Sequence, residues 1–441
     1  LSLVGSEMCI RDRAAAMSII GRMPEALSVL RRGIDRLPSE RSLHEALCYQ
    51  MNFADDVDPS EHLEAHRRLG ALVAALNPPP AHPAGRGVFV NSREPERALR
   101  VAFVSADLCA HACALFLEGP IRALDRARVL PFCYSIRTED DDATSKRFQG
   151  LAPWRSCGNL SDDEFAAQAA QDGIDIVIDA SGWTDGHRLY AMVPRIAPIQ
   201  MTYLGYPNTT GLPTMDYRIV DWHTDPAGAE AWCTEKLVRL PGCFVCFTPI
   251  DEKPEARLTP ALEGDGGAPI TFGSFNRLSK VRPAVARAWA EILRRVPNSR
   301  LLLKTSIVSE GVKAQYARHF EERGVSPDRV EWSGFVKGLG DHLAMYRRVD
   351  IALDSFPYNG TTTTCEATLM GVPVVALAGS LHRGRVGVSL LTAMGLPELI
   401  ARDEEEYIRI AVGLAGDRAR LAELHRTLRD RMLASPLCLS L

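Results

Sequence analysis

The sequence lacks any apolar run near the roughly twenty residues that a membrane-spanning helix needs, so no membrane partner is expected. It also lacks an excess of basic charge. Against 51 Lys and Arg stand 55 Asp and Glu, a net charge of −4 with no field to gather nucleic acid. Eleven cysteines are present, yet only one close CxxC, Cys243 and Cys246, set in the apolar segment CFVCF. Without a second CxxC or a His pair at ligand spacing, the pattern reads as buried thiols in a reducing cytoplasm. No acidic pair is spaced for a metal between strand and turn. The one dense carboxylate cluster, Asp140 to Asp142, reads as the solvated face of a polar loop. Neither a metal nor a resident cofactor is expected.

At 441 residues the chain is too long for one core and implies about three units. Residues 1–13, LSLVGSEMCIRDR, fit nothing downstream and read as a non-native leader, with no cleavage site of the kind a signal peptide carries. Residues 14–77 have a helical period. Ala26, Leu27, Leu30 and Ile34 share one face of a segment ending at Leu37-Pro38, and His62 to Leu76 continues the period. The segment resembles part of a tetratricopeptide repeat. One repeat cannot bury its own face, so it is expected to be the edge of a longer superhelix or a cap on the next domain. A linker over 78–98, Pro-rich from Pro78 to Gly87, follows.

From 99 to 250, strands read at Val101–Ser105, Leu130–Ile136, Ile174–Ala180 and Ile199–Gly205. Between them, helices read near Cys113–Asp125, Ser161–Ala170 and Gly186–Val193, the second opened by a capping box of Ser161 and Glu164. A second linker spans 251–269, and the alternation begins again over 270–438. There, strands read at Ile270–Phe275, Arg300–Lys304, Arg329–Ser333, Ile351–Asp354 and Val374–Ala378, with a helix over Ala284–Val296. The fold class is therefore α/β: two doubly wound, Rossmann-like domains in tandem after a helical segment. In such sheets ligands bind outside the carboxyl ends of the strands, which places a site in the cleft between the domains.

One stretch does not look like ordinary core. After the strand ending at Asp354, the run continues through Asn359-Gly360 into Thr361, Thr362, Thr363 and Thr364 and then a short helix. Unpaired amides and the macrodipole at a helix start stabilise an anion such as a diphosphate. Glu366, one turn in, can reach a ribose diol, by analogy with dinucleotide folds. After the Ile270 strand come Asn276 and Arg277, then Lys280, an ammonium able to neutralise a leaving diphosphate. Lys337 and His342 follow a third strand of the same domain. From the first domain, His111 lies beyond the Val101 strand, where it can hold or deprotonate a hydroxyl near neutral pH. Leu204, Gly205 and Pro207, with Trp183 and Asp185, reach the same rim.

Five separated segments, RVAFVSADLCAH, APIQMTYLGYPNTTGLPTMDYRIVD, FGSFNRLSKVRP, DSFPYNGTTTTCEATLMGVPVV and GRVGVSLLTAMGLPELIA, resemble in order the catalytic region of the O-linked N-acetylglucosamine transferase family, including bacterial and SPINDLY-like members. The likeness runs from about Leu43 to Pro436. It implies a GT-B fold and an inverting, metal-independent transfer of N-acetylglucosamine from UDP-N-acetylglucosamine to Ser or Thr hydroxyls of proteins. The nucleotide sugar is then the co-substrate, and protein acceptors are reached through the tetratricopeptide superhelix.

By position, Lys280 matches the family lysine on the donor diphosphate. Thr362 and Thr363 match its phosphate-binding pair, Glu366 an acid on ribose, Lys337 and His342 nucleotide contacts, His111 a histidine of the site, and Leu204, Gly205 and Pro207 the wall beside the sugar. Asn276, Gly360 and Thr361 lie within the same donor motifs. Ala112 stands where the family usually has Pro, and Arg277 and Thr361 replace polar residues that vary in it. Three other readings remain open: a SPINDLY-like transferase using GDP-fucose, a nucleotide-sugar epimerase of the same architecture, and a non-catalytic repeat scaffold.

Overall fold

A computed structural model describes residues 7–55, 57–77, 89–139, 142–249, 253–263, 267–305 and 308–438. Four helices come first: α1 (Glu7–Ile19), α2 (Met23–Arg36), α3 (Arg41–Met51) and α4 (Pro59–Leu76). Ala26, Leu27 and Leu30 face inward on α2 and Ile34 packs at the edge, as the period predicts. Helix α1 begins inside the segment set aside as a leader, and Ile10 packs against the helical core. The Pro-rich linker lies outside the described residues.

The first α/β domain contains β1 (Leu99–Ser105), α5 (Ala114–Ala123), β2 (Val129–Ser135), α6 (Ala143–Leu151), β3 (Trp154–Ser156) and α7 (Asp162–Gln171). It continues through β4 (Ile176–Asp179), β5 (Ile199–Tyr203), β6 (Tyr217–Asp221) and β7 (Lys236–Leu240). All seven strands are parallel, in the order β3-β2-β1-β4-β5-β6-β7. After the short α8 (Pro260–Glu263), the second domain comprises β8 (Ile270–Ser274), α9 (Pro283–Arg295), β9 (Ser299–Lys304), α10 (Glu310–Glu321), β10 (Val330–Ser333) and α11 (Leu339–Ala344). Its remaining elements are β11 (Ile351–Leu353), α12 (Thr362–Leu369), β12 (Val374–Leu377), α13 (Val386–Ala393), β13 (Ile400–Ala401), α14 (Glu404–Gly416) and α15 (Arg418–Leu433). Its six parallel strands run β10-β9-β8-β11-β12-β13. Two facing doubly wound domains make the GT-B architecture. Central strands β8 and β11 are buried along their whole length, as expected of strands covered on both faces.

Both hydrogen bonds of the Ser161–Glu164 capping box are present. Two expectations are corrected. Gly186–Val193 forms only a 3-10 turn, Leu189–Met192, because Gly186 sits at φ +74 and Pro194 follows. The Ile199 strand ends at Tyr203, since Leu204 turns to φ +59. The short strands β3, β6 and β7 were not legible at all. No disulfide joins the cysteines; Cys243 is buried and Cys246 partly so. Among the described residues no helix is long and apolar enough to cross a membrane.

The helical segment caps the first domain. Tyr206 meets it with its hydroxyl 2.8 Å from His66 Nε2, Asn208 Nδ2 donates to Asn52 Oδ1 at 3.1 Å, and α4 lies backbone to backbone on the following loop. A Cβ on Gly70 would fall 2.0 Å from the Gly211 carbonyl oxygen, which cannot yield as a side chain does. Gly70→Ala is therefore expected to cost about 1–3 kcal/mol in denaturant unfolding. An unchanged midpoint would mean that α4 does not sit this close.

The same seam is expected to be acid-sensitive. Burial, with Arg218 and Arg383 nearby, outweighs the bond to the His62 carbonyl and holds the His66 imidazole down at about 4. Unfolded histidine titrates near ~6.5, so between the two values the unfolded chain carries the extra proton. Stability therefore rises with pH across this window and is lost as pH falls from about 6.5 toward 4, by on the order of 3 kcal/mol. Unfolding measured against pH should show that slope shrinking in His66→Gln; an identical slope would assign it elsewhere.

Candidate active site

Both sheets reverse their strand order next to the cleft, between β1 and β4 in one and between β8 and β11 in the other. Polypeptide leaving the carboxyl ends at such switch points diverges and opens a crevice. His111 follows β1, Lys280 follows β8, and the threonine run follows β11. The site residues thus sit where the topology leaves room.

At the second switch point the loop is folded around a buried carboxylate. Asp354 Oδ1 accepts from the amides of Ser355 (2.8 Å) and Gly360 (2.7 Å) and from Asn276 Nδ2 (3.2 Å). Its Oδ2 is buried without a hydrogen bond among the described residues. Burial pushes this carboxyl up and pushes the Lys280 amine down, while their mutual attraction opposes both shifts. Lys280 Nζ donates to the Asn359 carbonyl at 2.7 Å and lies 3.8 Å from the centre of the Tyr358 ring. Lysine and threonine run therefore meet, although Lys280 and Asn359 are 79 residues apart.

Helix α12 starts without the usual cap. Thr361 occupies the N-cap position, but its side chain accepts no bond from the helix. The first intrahelical bond runs from the Cys365 amide to the Thr361 carbonyl, and the amides of Thr362, Thr363 and Thr364 have no acceptor among the described residues. Their hydroxyls are placed by other means. Thr363 Oγ1 donates to Asn276 Oδ1 at 3.1 Å and Thr364 Oγ1 to the Gly360 carbonyl at 3.1 Å. An ordinary capping side chain would consume these amides; here they stay open to an anion.

Beyond the first turn, Glu366 is 6% exposed, and its Oε2 is held by His342 Nε2 (2.9 Å) and the Tyr346 hydroxyl (3.2 Å). That arrangement leaves Oε1 for a diol. The Phe275 ring packs 4.4 Å from Tyr346, with Lys304 Nζ 5.9 Å above it; burial lowers the Lys304 amine and Glu366 raises it. Lys337, by contrast, is exposed on the loop before α11 and makes no hydrogen bond or ion pair among the described residues.

Across the cleft, His111 is half-exposed, with Nδ1 3.3 Å from Asp107 Oδ1 and accepting from the Cys113 amide at 3.3 Å. Asp142, expected on a solvated face, instead caps α6 through Thr144 and Ser145 and reaches the Ala110 amide at 3.4 Å, so it steadies the His111 loop; Asp140 and Asp141 lie outside the described residues. His111, Trp183, Asp185, Gly205, Pro207, Arg277 and Tyr358 line one cavity of about 660 Å³, whose lining also includes Tyr49 and Phe53 of the helical segment and its following loop. Tyr358 belongs to this cavity and to the Lys280 cradle, and so joins the two halves. The wall is built under constraint. Leu204 holds a left-handed backbone rare for a bulky residue, and a Cβ on Gly205 would lie 2.1 Å from the Ala180 carbonyl oxygen. Arg277 Nη1 lies 3.4 Å from the Tyr49 hydroxyl of the helical segment.

Sequence reasoning missed Asp354, Tyr346, Phe275, Lys304 and Tyr358. Only Asp354 left a signal, as an acid ending an apolar strand; the rings read as core.

The model of glycosyl transferase family 41 matches residues 85–248 and 263–439. The chain is 38% identical over 406 residues to an Arabidopsis thaliana protein named probable UDP-N-acetylglucosamine–peptide N-acetylglucosaminyltransferase SPINDLY, covering 91% of this chain and 43% of that one. To the Arabidopsis thaliana protein named probable UDP-N-acetylglucosamine–peptide N-acetylglucosaminyltransferase SEC it is 32% identical, covering 97% and 44%. It thus spans less than half the length of these relatives. A solved mutant of the Thermobaculum terrenum O-GlcNAc transferase superposes with a TM-score of 0.88 at 34% identity, over 98% of this chain and 82% of that one. With two switch-point loops facing across one cleft and both parts of the family model matched, the chain belongs to glycosyl transferase family 41.

Proposed function

We propose that the chain transfers N-acetylglucosamine from UDP-N-acetylglucosamine to Ser or Thr hydroxyls of proteins, with inversion and without a metal ion. The observation that carries this reading is the set of open amides at Thr362–Thr364 beside the Lys280 ammonium. The diphosphate rests on those amides, with Thr362 and Thr363 lending hydroxyls and Asn276 and Gly360 shaping the turn. Glu366, oriented by His342 and Tyr346, takes the ribose diol, and Lys337 reaches the nucleotide from its exposed loop. Leu204, Gly205 and Pro207 form the wall against the sugar.

The acceptor oxygen attacks the anomeric carbon from the His111 side, the bond from that carbon to the phosphate oxygen breaks, and UDP departs. The acceptor proton passes to His111. Charge developing on the leaving oxygen meets Lys280 and the amides, which need no reorganisation. Asp354 and Glu366, the cradle carboxylates, are each bound by protein donors and do not form an open pair for Mg²⁺. The helical segment, whose Tyr49 and Phe53 line the cavity, guides the protein acceptor. Cysteines outside any disulfide fit the cytoplasm.

Calorimetric titration with UDP-N-acetylglucosamine and GDP-fucose, followed by transfer of labelled sugar to a protein acceptor, tests the reading. Tighter binding and transfer of the uridine sugar are expected. Preference for the guanosine sugar would replace the donor, free epimerised sugar would replace the reaction, and no binding of either nucleotide would leave a scaffold.

A further inference from the structure

The loop between β1 and α5 brings together three side chains that the transfer chemistry uses only in part. Asp107, His111 and Cys113 offer an oxygen, a nitrogen and a sulfur, all within 4.8 Å of one another. A tetrahedral Zn²⁺ with bonds of about 2.0–2.3 Å sets its ligand atoms roughly 3.3–3.8 Å apart, so small side-chain movements suffice to close the set. His111 Nδ1 lies 3.3 Å from Asp107 Oδ1 and accepts a long bond from the Cys113 amide at 3.3 Å, a bond that a metal ion on the same nitrogen would replace. The Cys113 sulfur and the Asp107 carboxylate are neighbours within that set. The scaffold is held. Asp107 is tied through its amide to Ser105 Oγ at 2.9 Å, Cys113 stands at the start of α5, and Asp142 ties down the Ala110 amide between them.

We propose that Asp107, His111 and Cys113 form a transition-metal site for Zn²⁺, open to the cavity at its fourth position, whose occupation switches transfer off. One carboxylate and one thiolate balance the charge of the ion. Binding replaces the thiol proton: the sulfur–hydrogen bond breaks, a sulfur–zinc bond forms, and one proton leaves to solvent for each ion bound. Three protein ligands with an open position is the geometry of reactive rather than structural zinc sites. The inhibition rests on the reading of His111 as the acceptor-side group, because a metal on Nδ1 takes away the ring's capacity to accept a proton. The binding itself does not rest on that reading.

The test uses the full chain, prepared metal-free, with Zn²⁺ competed against a chromophoric chelator and Co²⁺ as a spectroscopic stand-in. One equivalent is expected to bind, with release of one proton and, for Co²⁺, a thiolate-to-metal charge-transfer band. Cys113→Ser should weaken Zn²⁺ binding by roughly a hundredfold and remove the band. Cys109→Ser should change neither, since its sulfur faces Arg137 at 3.3 Å outside the set. Asp107→Asn provides a second loss variant if Cys113→Ser melts early. One equivalent of Zn²⁺ should abolish sugar transfer in the unmodified chain, reversibly with chelator, and spare Cys113→Ser. Equal affinity in the unmodified chain and both loss variants, or a Co²⁺ spectrum without the band, overturns the site. Tight Cys113-dependent binding with undiminished transfer overturns the switch, and with it the placing of His111 on the acceptor side, while the donor titration stands by itself.

Discussion

Lys280→Ala is expected to lower the transfer rate by about 10²–10³-fold in a chain that still folds, the loss typical when one preorganised charge partner of a developing anion is removed. The ammonium is desolvated and makes one carbonyl bond and one ring contact, so its removal takes away little that stabilises the fold. Asp354 loses its counter-charge, yet Oδ1 keeps its three donors and the carboxyl can take up a proton. The loss should appear in kcat with the thermal midpoint nearly unchanged. A pH signature accompanies it. Because burial lowers the Lys280 amine and the cation is the working form, kcat/KM of the unmodified enzyme should decline with rising pH earlier than an ordinary lysine would dictate. Full transfer by a folded Lys280→Ala would falsify the cradle assignment.

Gly360→Ala should remove donor binding and cost stability together. A Cβ there would lie 2.2 Å from Thr363 Oγ1, 2.9 Å from Asn276 Oδ1 and 3.1 Å from Asp354 Oδ1. None of these is the free end of a flexible side chain. Thr363 is pinned by Asn276, Asn276 by Asp354, and Asp354 by the Gly360 amide itself. Making room means breaking that ring of bonds and turning the start of α12 away from Lys280. The expected result is at least a tenfold loss of UDP affinity with about 1–3 kcal/mol of destabilisation. Calorimetry alongside denaturant unfolding measures both. If Gly360→Ala bound UDP like the parent, the close contact around Thr363 would not exist in solution.

Much of the site was legible because its parts are local. A strand ending at Asp354, a turn at Asn359-Gly360 and hydroxyls at a helix start are neighbours in the chain, and a helix N-terminus binds anions wherever it is placed. The roles of Tyr346, Phe275 and Tyr358 were hidden because an aromatic ring in an apolar context reads as packing until its neighbours are known. Tyr346 holds Glu366, Phe275 stacks against Tyr346, and Tyr358 carries the lysine. Lys337 runs the other way: its position after a strand and the family match suggested contact, and the structure leaves it on an exposed loop. The metal question divides similarly. Cys243 and Cys246 drew attention by spacing and are a buried and a half-buried thiol, whereas Asp107, His111 and Cys113, seven residues from end to end, converge only because the loop folds back on itself.

Composition and periodicity alone therefore establish two doubly wound α/β domains behind a helical segment, and the order of the motifs places each candidate group at a strand's carboxyl end. Those features depend on backbone hydrogen bonding and burial over short stretches, which a linear pattern records. Which loops face one another was settled by packing between elements far apart in the chain. Lys280 reaches Asn359 across 79 residues, and Tyr206 reaches His66 across 140. Such pairings follow from how whole sheets and helices fill space together, and no local spacing encodes them.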